Sequence, residues 1–574
     1  MNDSVSGKPQ LSYEHGTGSV PLLGLCIGEV LDRAAAQYPE HLALVVRHQK
    51  KRYTYRQFHE EVELAARGLL RMGVQKGDRV GIWATNCAEW VVTQFAAAKA
   101  GAILVNINPA NRAYELEYAL NLSECQTLLM GEGMRDCSYP ETLRSLCPEI
   151  PACAPGALQA AKLPLLRNLL YIGEKDSPAG MFHWRDLLAL GRETPASDLR
   201  AREAELEFGD AINIQFTSGT TGMPKGATIT HHNIVNNALL VAASMKLTPS
   251  DRMCIPVPFY HCFGMVMSNM ACVLNGAAMI VPAPFFDPLE TLRASAEERC
   301  TALQGVPTMF IAQLDHPDFA QFDLSSLRTG IMAGAPCPIE VMKRVVKLMN
   351  LREMTIAYGL TEASPVITQT VTDDPIELRV STVGRPLPHT EVKIIDGATG
   401  RIVPRGTAGE LCTRGYLVMK GYYRNPEATR KSIEEDAWLH TGDLASMDEQ
   451  GYCKITGRAK DVIIRGGENI YPREIEEFLY HCPGVSDVQI IGVPDAKYGE
   501  QVMAWVKVKA GAALTPDEIR EFCQGKIATF KIPKYIKLVD AFPMTVTGKI
   551  QKFKMREVAI QELNLGDAAR IETA

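Results

Sequence analysis

The sequence predicts an α/β protein that ends in a small β unit and a further α+β segment. Three observations lead there: strands separated by helical periods up to about Val380, short strands with turns beyond Val383, and mixed periods again after Gly457. In the first block, Ile27 to Gln37 reads as a helix and Arg79 to Trp83 as a short buried strand. An Ala-rich helix follows near Trp90 to Ala100, then the apolar run Ala102 to Asn106. Strands spaced by helices need crossover connections and therefore lie parallel. The stretch from Met134 to about Pro164, richer in Cys and Pro, reads as an irregular excursion, and a second α/β block spans about Ala211 to Val380. Glu391 to Ile395, Gly409 to Thr413 and Tyr452 to Thr456 are the short strands, with Asp396-Gly397 and Gly400 as turns. In the last segment Ser486 to Val493 and Val502 to Val508 read as strands. Thr515-Pro516-Asp517-Glu518 joins an N-cap, a proline at the first helical position and a Glu three residues after the cap, which predicts a helix to about Ile527.

Composition narrows the function classes. At a prior of about 150 residues per domain, 574 residues make roughly three or four packing units. With 46% hydrophobic and 22% charged residues, the chain has material for several cores, which excludes wholesale disorder. The 60 Lys and Arg against 66 Asp and Glu, net charge -6, lack the basic excess that a phosphate backbone requires, so no nucleic-acid partner is expected. The 15 cysteines contain no C-x-x-C pair and fit neither a disulfide framework nor a zinc spacing, which points to buried thiols in a reducing compartment. Met253 to Phe286 carries no charge, yet Pro256, Pro258, His261, Asn269, Asn275 and Gly276 interrupt it, so no transmembrane helix is expected. Met1 to Leu23 has neither a secretory core nor an Arg-rich transit pattern.

The sharpest local feature follows the strand-like Ile212 to Phe216: Thr217-Ser218-Gly219-Thr220-Thr221-Gly222-Met223-Pro224-Lys225-Gly226. Its glycines let backbone N–H groups turn inward, its hydroxyls donate to phosphate oxygens, and Lys225 adds a point charge, which together make a phosphate cradle. A Walker A loop needs a hydroxyl directly after the lysine. Here Gly226 stands there, so the P-loop NTPase reading fails on its own motif.

The decapeptide resembles the nucleotide loop of the adenylate-forming superfamily, which includes acyl-CoA synthetases, the adenylation domains of peptide synthetases and luciferases. The remaining family motifs follow in order. Gly334-Ala335-Pro336 is similar to the segment along the adenine. Tyr358-Gly359-Leu360-Thr361-Glu362 is similar to the block in which Tyr358 packs on the base, Thr361 meets the α-phosphate and Glu362 holds Mg²⁺. Thr441-Gly442-Asp443 implies Asp443 on the ribose hydroxyls, and Gly457-Arg458-Ala459-Lys460-Asp461 implies a second ribose contact at Arg458 and a hinge at 460–461. Pro543 to Lys549 carries the implied catalytic lysine, Lys549, and Pro258 to Gly264 places His261 beside the carboxylate and acyl pocket. With Gly77 to Val80 and Trp83 to Gly101 also similar, the resemblance covers nearly the whole chain. It implies a large N-terminal domain, 1–457, of two α/β sheets (about 25–210 and 211–380) and a β barrel (381–457). A mobile α+β lid, 458–574, would follow.

The implied reaction is AMP-forming acyl-CoA synthesis from a fatty acid, ATP and CoA, with Mg²⁺. The carboxylate attacks the α-phosphate, and Lys549, Lys225 and Mg²⁺ supply cations where charge develops. Rotation about the hinge then exchanges Lys549 for Val462 to Asn469, where Gly466 and Gly467 leave room for pantetheine. Amino-acid adenylation needs an acid near the pocket, and Met253 to Phe286 contains none, which favours an uncharged acyl tail. The expected walls are Phe259, Tyr260, Phe263, Gly305-Val306-Pro307 and Met332 to Ala335, with the small residues leaving room for a medium or longer chain. Loading of a carrier protein and silent acyl or nucleotide binding are the rival readings. His231-His232 reads as a helix N-terminal surface. The resemblance to mitochondrial medium-chain members implies the matrix, with the cytoplasm as the alternative, and says nothing of oligomeric state.

Overall fold

The computed structural model describes residues 10–134, 137–217, 224–335, 337–458, 461–465, 468–545 and 549–565. Two large sheets form its bulk. In the first, Phe182–His183, Asn168–Tyr171, Thr127–Met130, Arg79–Trp83, Ile103–Asn106 and Ala211–Thr217 run parallel in that spatial order, and Lys225–Thr230 and Gly421–Tyr422 extend it antiparallel. In the second, Glu353–Gly359, Thr329–Ala333, Ala302–Gly305, Arg252–Cys254, Ala278–Val281 and Leu42–Val46 are parallel, with antiparallel strands at both edges.

The expected division near residue 211 does not follow the sheets. Leu42–Val46 crosses into the second sheet beside Ala278–Val281, and the hairpin Ala211–Thr217 and Lys225–Thr230 joins the first beside Ile103–Asn106. A strand buried on both faces reads as one apolar run, and that run does not state which sheet covers it.

Helix Ala88–Lys99 is buried along its whole length and shares the largest core with Leu31, Phe58, Met253, Phe259 and Val281. The helix is mostly apolar, and its buried polar side chains find partners inside, Glu89 with Gln49 at 2.8 Å and Gln94 with the Met265 carbonyl at 3.1 Å. Lys99 at its end is tolerated because its ammonium pairs with Asp32 at 2.7 Å and with Glu203. Helix Ile27–Gln37 and strand Arg79–Trp83 have the bounds their patterns predict.

The stretch from Met134 to Pro164 is less irregular than expected. It contains helix Tyr139–Leu146, whose N-cap Ser138 accepts from the Glu141 N–H and whose Tyr139, Leu143 and Leu146 are buried. Tyr139 stacks on Trp83 at 3.8 Å between ring centroids. The Ser-Tyr-Pro-Glu start is a helix signal, and it outweighs the Cys and Pro content around it.

The small β unit is an antiparallel sheet in the order Tyr13–His15, Thr390–Ile395, Gly409–Gly415, Leu439–Met447, Cys453–Arg458. Expected as a barrel, it is open: among the described residues its two outer strands do not pair with each other. The C-terminal segment is built on the long hairpin Val485–Asp495 and Gly499–Val508, with Tyr535–Leu538 parallel to the second strand. Its helix Pro516–Cys523 starts on the predicted capping box, with reciprocal Thr515 and Glu518 hydrogen bonds of 2.8 and 3.3 Å, and ends four residues before the expected stop. All fifteen cysteines are free, and all but Cys153 are buried. Among the described residues no helix is long and apolar enough to cross a membrane.

Thr217, Gly305 and Gly359 each end a sheet strand, and Gly334 follows the last residue of Thr329–Ala333. Parallel α/β sheets bind ligands at the carboxyl ends of their strands. The predicted motifs therefore converge on one rim for a topological reason.

Candidate active site

Thr217 and Lys225 face each other as the last described pair of the two-stranded ribbon Ala211–Thr217 and Lys225–Thr230. Ser218, Gly219, Thr220, Thr221, Gly222 and Met223 lie outside the described residues, as do Pro336, Gly466 and Gly467. At this end of the ribbon the Thr217 hydroxyl donates to the Lys225 carbonyl at 3.4 Å, and the Tyr118 hydroxyl donates to the Pro224 carbonyl at 3.0 Å.

The Lys225 ammonium lies 4.2 Å above the ring centroid of Tyr422, and the Tyr422 hydroxyl donates to Glu362 Oε1 at 2.7 Å. A residue of the adjoining strand Gly421–Tyr422 thus links the ribbon to the buried Glu362. Burial and the adjacent carboxylate push the Tyr422 phenol up, so it remains a donor. Sequence reasoning missed Tyr422. Its partner is sixty residues away, and no local pattern marks it.

Tyr358 and Asp443 come together from different sheets. The Tyr358 hydroxyl donates to Asp443 Oδ2 at 2.8 Å, and Arg458 Nε donates to Oδ1 at 3.1 Å. Asp443 and Arg458 are directly opposed in the hairpin of Leu439–Met447 and Cys453–Arg458, which is why residues fifteen apart meet. Burial and Asp443 hold the Tyr358 phenol well above its ordinary value. Next to Tyr358, a Cβ on Gly359 would stand 1.8 Å from the Pro365 carbonyl oxygen, so only glycine fits where the chain turns back.

Lys549 reaches this rim from the C-terminal segment. Its backbone N–H donates to the Thr545 hydroxyl at 3.1 Å, and the Thr545 N–H donates to its carbonyl at 2.8 Å. A Cβ on Gly334, whose φ of +84° suits glycine, would lie 3.9 Å from Lys549 Cε. The helix Pro472–Leu479 adds an Arg473 guanidinium donating to the Cys337 carbonyl at 3.4 Å. Among the described residues the Lys549 ammonium has no hydrogen-bond or ion-pair partner. Burial lowers its pKa, Arg458 acts in the same direction, and Cys262, Glu362 and Asp443 oppose them. An ammonium removed from water without a partner is costly, and an anion is the group that would offset the cost.

His261 caps the short helix Cys262–Gly264, its Nδ1 accepting from the Phe263 N–H at 3.2 Å. Burial and the nearby Lys549 push it down to about 3, so it is neutral at physiological pH. Cys262 Sγ lies 3.9 Å from the Thr361 hydroxyl and 3.6 Å from His261 Nδ1, and burial pushes the thiol up to about 11. Cys262 is a second member of the cluster that sequence reasoning passed over. Phe259 and Phe263 beside it are buried, and Phe259 lies 5.5 Å from Trp90 between ring centroids.

His231 is not on the surface as expected. It is buried at the start of helix His231–Ser244, its Nδ1 accepts from the Ile27 N–H at 3.1 Å, and burial pushes it down to about 4. A His at a helix start reads as polar, but this start is covered by helix Ile27–Gln37.

Glu362, Thr361, Lys225, Tyr358, Asp443, Arg458, His261 and Lys549 therefore share one rim. The model of the AMP-binding enzyme family matches residues 31–423, and that of the AMP-binding enzyme C-terminal domain matches 474–549. The chain is 54% identical to a putative acyl-CoA synthetase, YngI, of Bacillus subtilis (strain 168), over 95% of this chain and 99% of that one. It is 45% identical to the mitochondrial medium-chain acyl-CoA ligase ACSF2 of Bos taurus, over 96% and 91%. Among solved structures it is similar to the anthranilate CoA ligase AuaEII in complex with anthranoyl-AMP, at TM-score 0.83, 27% identity and 95% and 99% coverage. ATP-bound MatB from Rhodopseudomonas palustris matches at TM-score 0.80 and 28% identity, over 93% and 99%. The chain belongs to the AMP-binding enzyme family, among its acyl-CoA synthetases, the acid–thiol ligases that form AMP.

Proposed function

We propose that this chain is a medium-chain fatty acid–CoA ligase acting through an acyl adenylate. The observation that carries the site is the buried Lys549 ammonium, which has no hydrogen-bond or ion-pair partner among the described residues and lies within electrostatic reach of Glu362, Cys262 and His261. In the first half-reaction the fatty-acid carboxylate attacks the α-phosphate of ATP, an acyl–phosphate bond forms and pyrophosphate leaves. Lys549 is the cation between the two anions that meet, and Lys225 and the 217–222 hydroxyls steady the departing pyrophosphate. Asp443 and Arg458 hold the ribose, and Tyr358 the base, along Gly334 to Pro336.

Glu362 is suited to Mg²⁺. It is a carboxylate, the donor type a hard cation takes, and one of its oxygens is already oriented by Tyr422. The ion would supply charge neutralisation on the phosphates. His261, neutral and fixed at a helix start, borders the acyl carboxylate without adding a second positive charge. In the second half-reaction the CoA thiol loses its proton as sulfur bonds to the acyl carbon, and AMP leaves. The 460–461 hinge and the 466–467 glycines belong to this step.

The medium-chain and matrix readings draw on the mitochondrial relatives, and the bacterial relative favours the cytoplasmic alternative. The neutral Met253 to Phe286 segment and the absence of an acid in it support an uncharged tail over an amino acid. Exchange of labelled pyrophosphate into ATP, with octanoate and Mg²⁺ and without CoA, tests the proposal. Octanoate-dependent exchange is the expected result. Exchange with acetate or aromatic acids but not octanoate overturns the chain length, and exchange with no acid overturns the reaction.

A further inference from the structure

Behind the ribose turn, the open β sheet carries a second group of chemically able side chains that the ligase reaction does not use. Glu410 and Cys412 stand on strand Gly409–Gly415, two residues apart and so on one face, and His440 is the direct cross-strand neighbour of Cys412 on Leu439–Met447. A register shift between Glu410 and Cys412 draws Glu410 toward the same point. The three donor atoms lie within 4.8 Å of one another.

The distances have a recognisable pattern. Zn–S and Zn–N bonds of about 2.3 and 2.05 Å at a tetrahedral angle separate sulfur from nitrogen by about 3.6 Å, and nitrogen from carboxylate oxygen by about 3.4 Å. Cys412 Sγ lies 3.6 Å from His440 Nδ1, and Glu410 Oε2 lies 3.1 Å from it. The other imidazole nitrogen, Nε2, is 2.7 Å from Glu434 Oε1. With a cation bound, this carboxylate would hold the Nε2–H tautomer, the usual outer partner of a metal-binding histidine, and leave the Nδ1 lone pair for the ion once Nδ1 gives up any proton it shares with Glu410. Glu410 Oε1 remains on the Gly442 N–H at 3.0 Å, one residue from Asp443. His440 and Glu410 keep 27% and 21% of their side-chain surface, which leaves an entry path and a fourth position for water.

The other group of this kind among the described residues, Asp32, His59 and Glu63, has no sulfur, and the Lys99 ammonium already sits on Asp32 at 2.7 Å. A cation there would meet a positive charge. At the first group the Lys393 ammonium sits 3.4 Å from Glu434 Oε2, and among the described residues no lysine or arginine pairs with Glu410 or Cys412.

We propose that Glu410, Cys412 and His440 form a binding site for a thiophilic divalent cation of the Zn²⁺ class, with Glu434 as the residue that orients His440. On binding, Cys412 gives its proton to solvent and ligates as thiolate. No C-x-x-C or His spacing announces this site, because its ligands come from two strands joined by a long connection.

Co²⁺ is the probe, added to the full chain in excess Mg²⁺ so that oxygen-only sites are filled. The expected result is a thiolate-to-cobalt charge-transfer band that saturates at one equivalent and is removed by equimolar Zn²⁺. Cys412→Ser should abolish it, and Glu434→Gln should weaken Co²⁺ affinity by about 10- to 100-fold. Absence of the band in the wild type overturns the site. So does a band of equal intensity in Cys412→Ser, which would place the sulfur on one of the other fourteen cysteines. Should Cys412→Ser fail to fold, His440→Gln and Glu434→Gln decide, with unchanged affinity in both overturning the proposal.

Discussion

On one side of the site, Asp443 already has two protein partners, with Tyr358 at 2.8 Å on one oxygen and Arg458 at 3.1 Å on the other. Across the rim, the Lys549 ammonium has none among the described residues, and its pKa is lowered by burial. The difference follows from where the residues sit. Asp443 and Arg458 share one antiparallel hairpin, whose ladder sets their separation whatever is bound. Lys549 comes from another part of the chain, and its partners, a carboxylate and a phosphate, would arrive with the substrates. A site can be preorganised where its groups share a sheet, and it must stay unpaired where a cation awaits anions.

The sharpest way to break this comparison is Lys549→Ala. Losing one charge-stabilising group should lower octanoate-dependent pyrophosphate exchange by about 10²- to 10³-fold. Thiolysis of supplied octanoyl adenylate by CoA should stay near the wild-type rate. Equal loss of both half-reactions would remove the division of labour between the two sides. Next in size, Asp443→Ala takes the shared acceptor from Tyr358 and Arg458 and should raise the KM for ATP by about tenfold or more, from the 1.5–3 kcal/mol typical of a hydrogen bond to a charged group. Isothermal titration with ATP checks this, and an unchanged affinity would mean that the preformed network is structural only.

Tyr422→Phe is a smaller perturbation. It deletes one hydrogen bond to Glu362, at about 1 kcal/mol, and should raise the Mg²⁺ concentration for half-maximal exchange about fivefold with little change in acyl affinity. A change in octanoate KM instead would overturn this role for Tyr422. The smallest effect concerns protons. His261 sits at about 3, below its unfolded value near 6.5, so its contribution to stability is full above pH 6.5 and is lost as pH falls toward 3. Lys549→Met removes one cause of that depression. It should raise the His261 pKa and shallow the loss of stability in that window, as read by imidazole NMR titration and by denaturant midpoints between pH 7 and 4. A pKa that stays at about 3 would assign the whole shift to burial.

Legibility in the sequence tracked distance along the chain. Helix Ile27–Gln37, strand Arg79–Trp83 and the Thr515 capping box were readable because periodicity and caps act within a few residues. Membership of the AMP-binding enzyme family was readable because its motifs, ordered from 217 to 549, each need residue types at short fixed spacings. Tyr422 beneath Lys225, Cys262 beside Thr361, the buried His231 and the exchange of strands between sheets were not readable. Each depends on a neighbour tens to hundreds of residues away.

The residues alone determined which side chains can handle an acyl phosphate, since charge, hydroxyls and absent Cβ atoms belong to residue type. Only the tertiary structure decided that Asp443 is shared by Tyr358 and Arg458, that Lys549 has no partner among the described residues, and that Cys412 faces His440. Those outcomes are set by strand register and sheet order. Register and order come from burying apolar faces over the whole chain, and no short window of sequence holds that information.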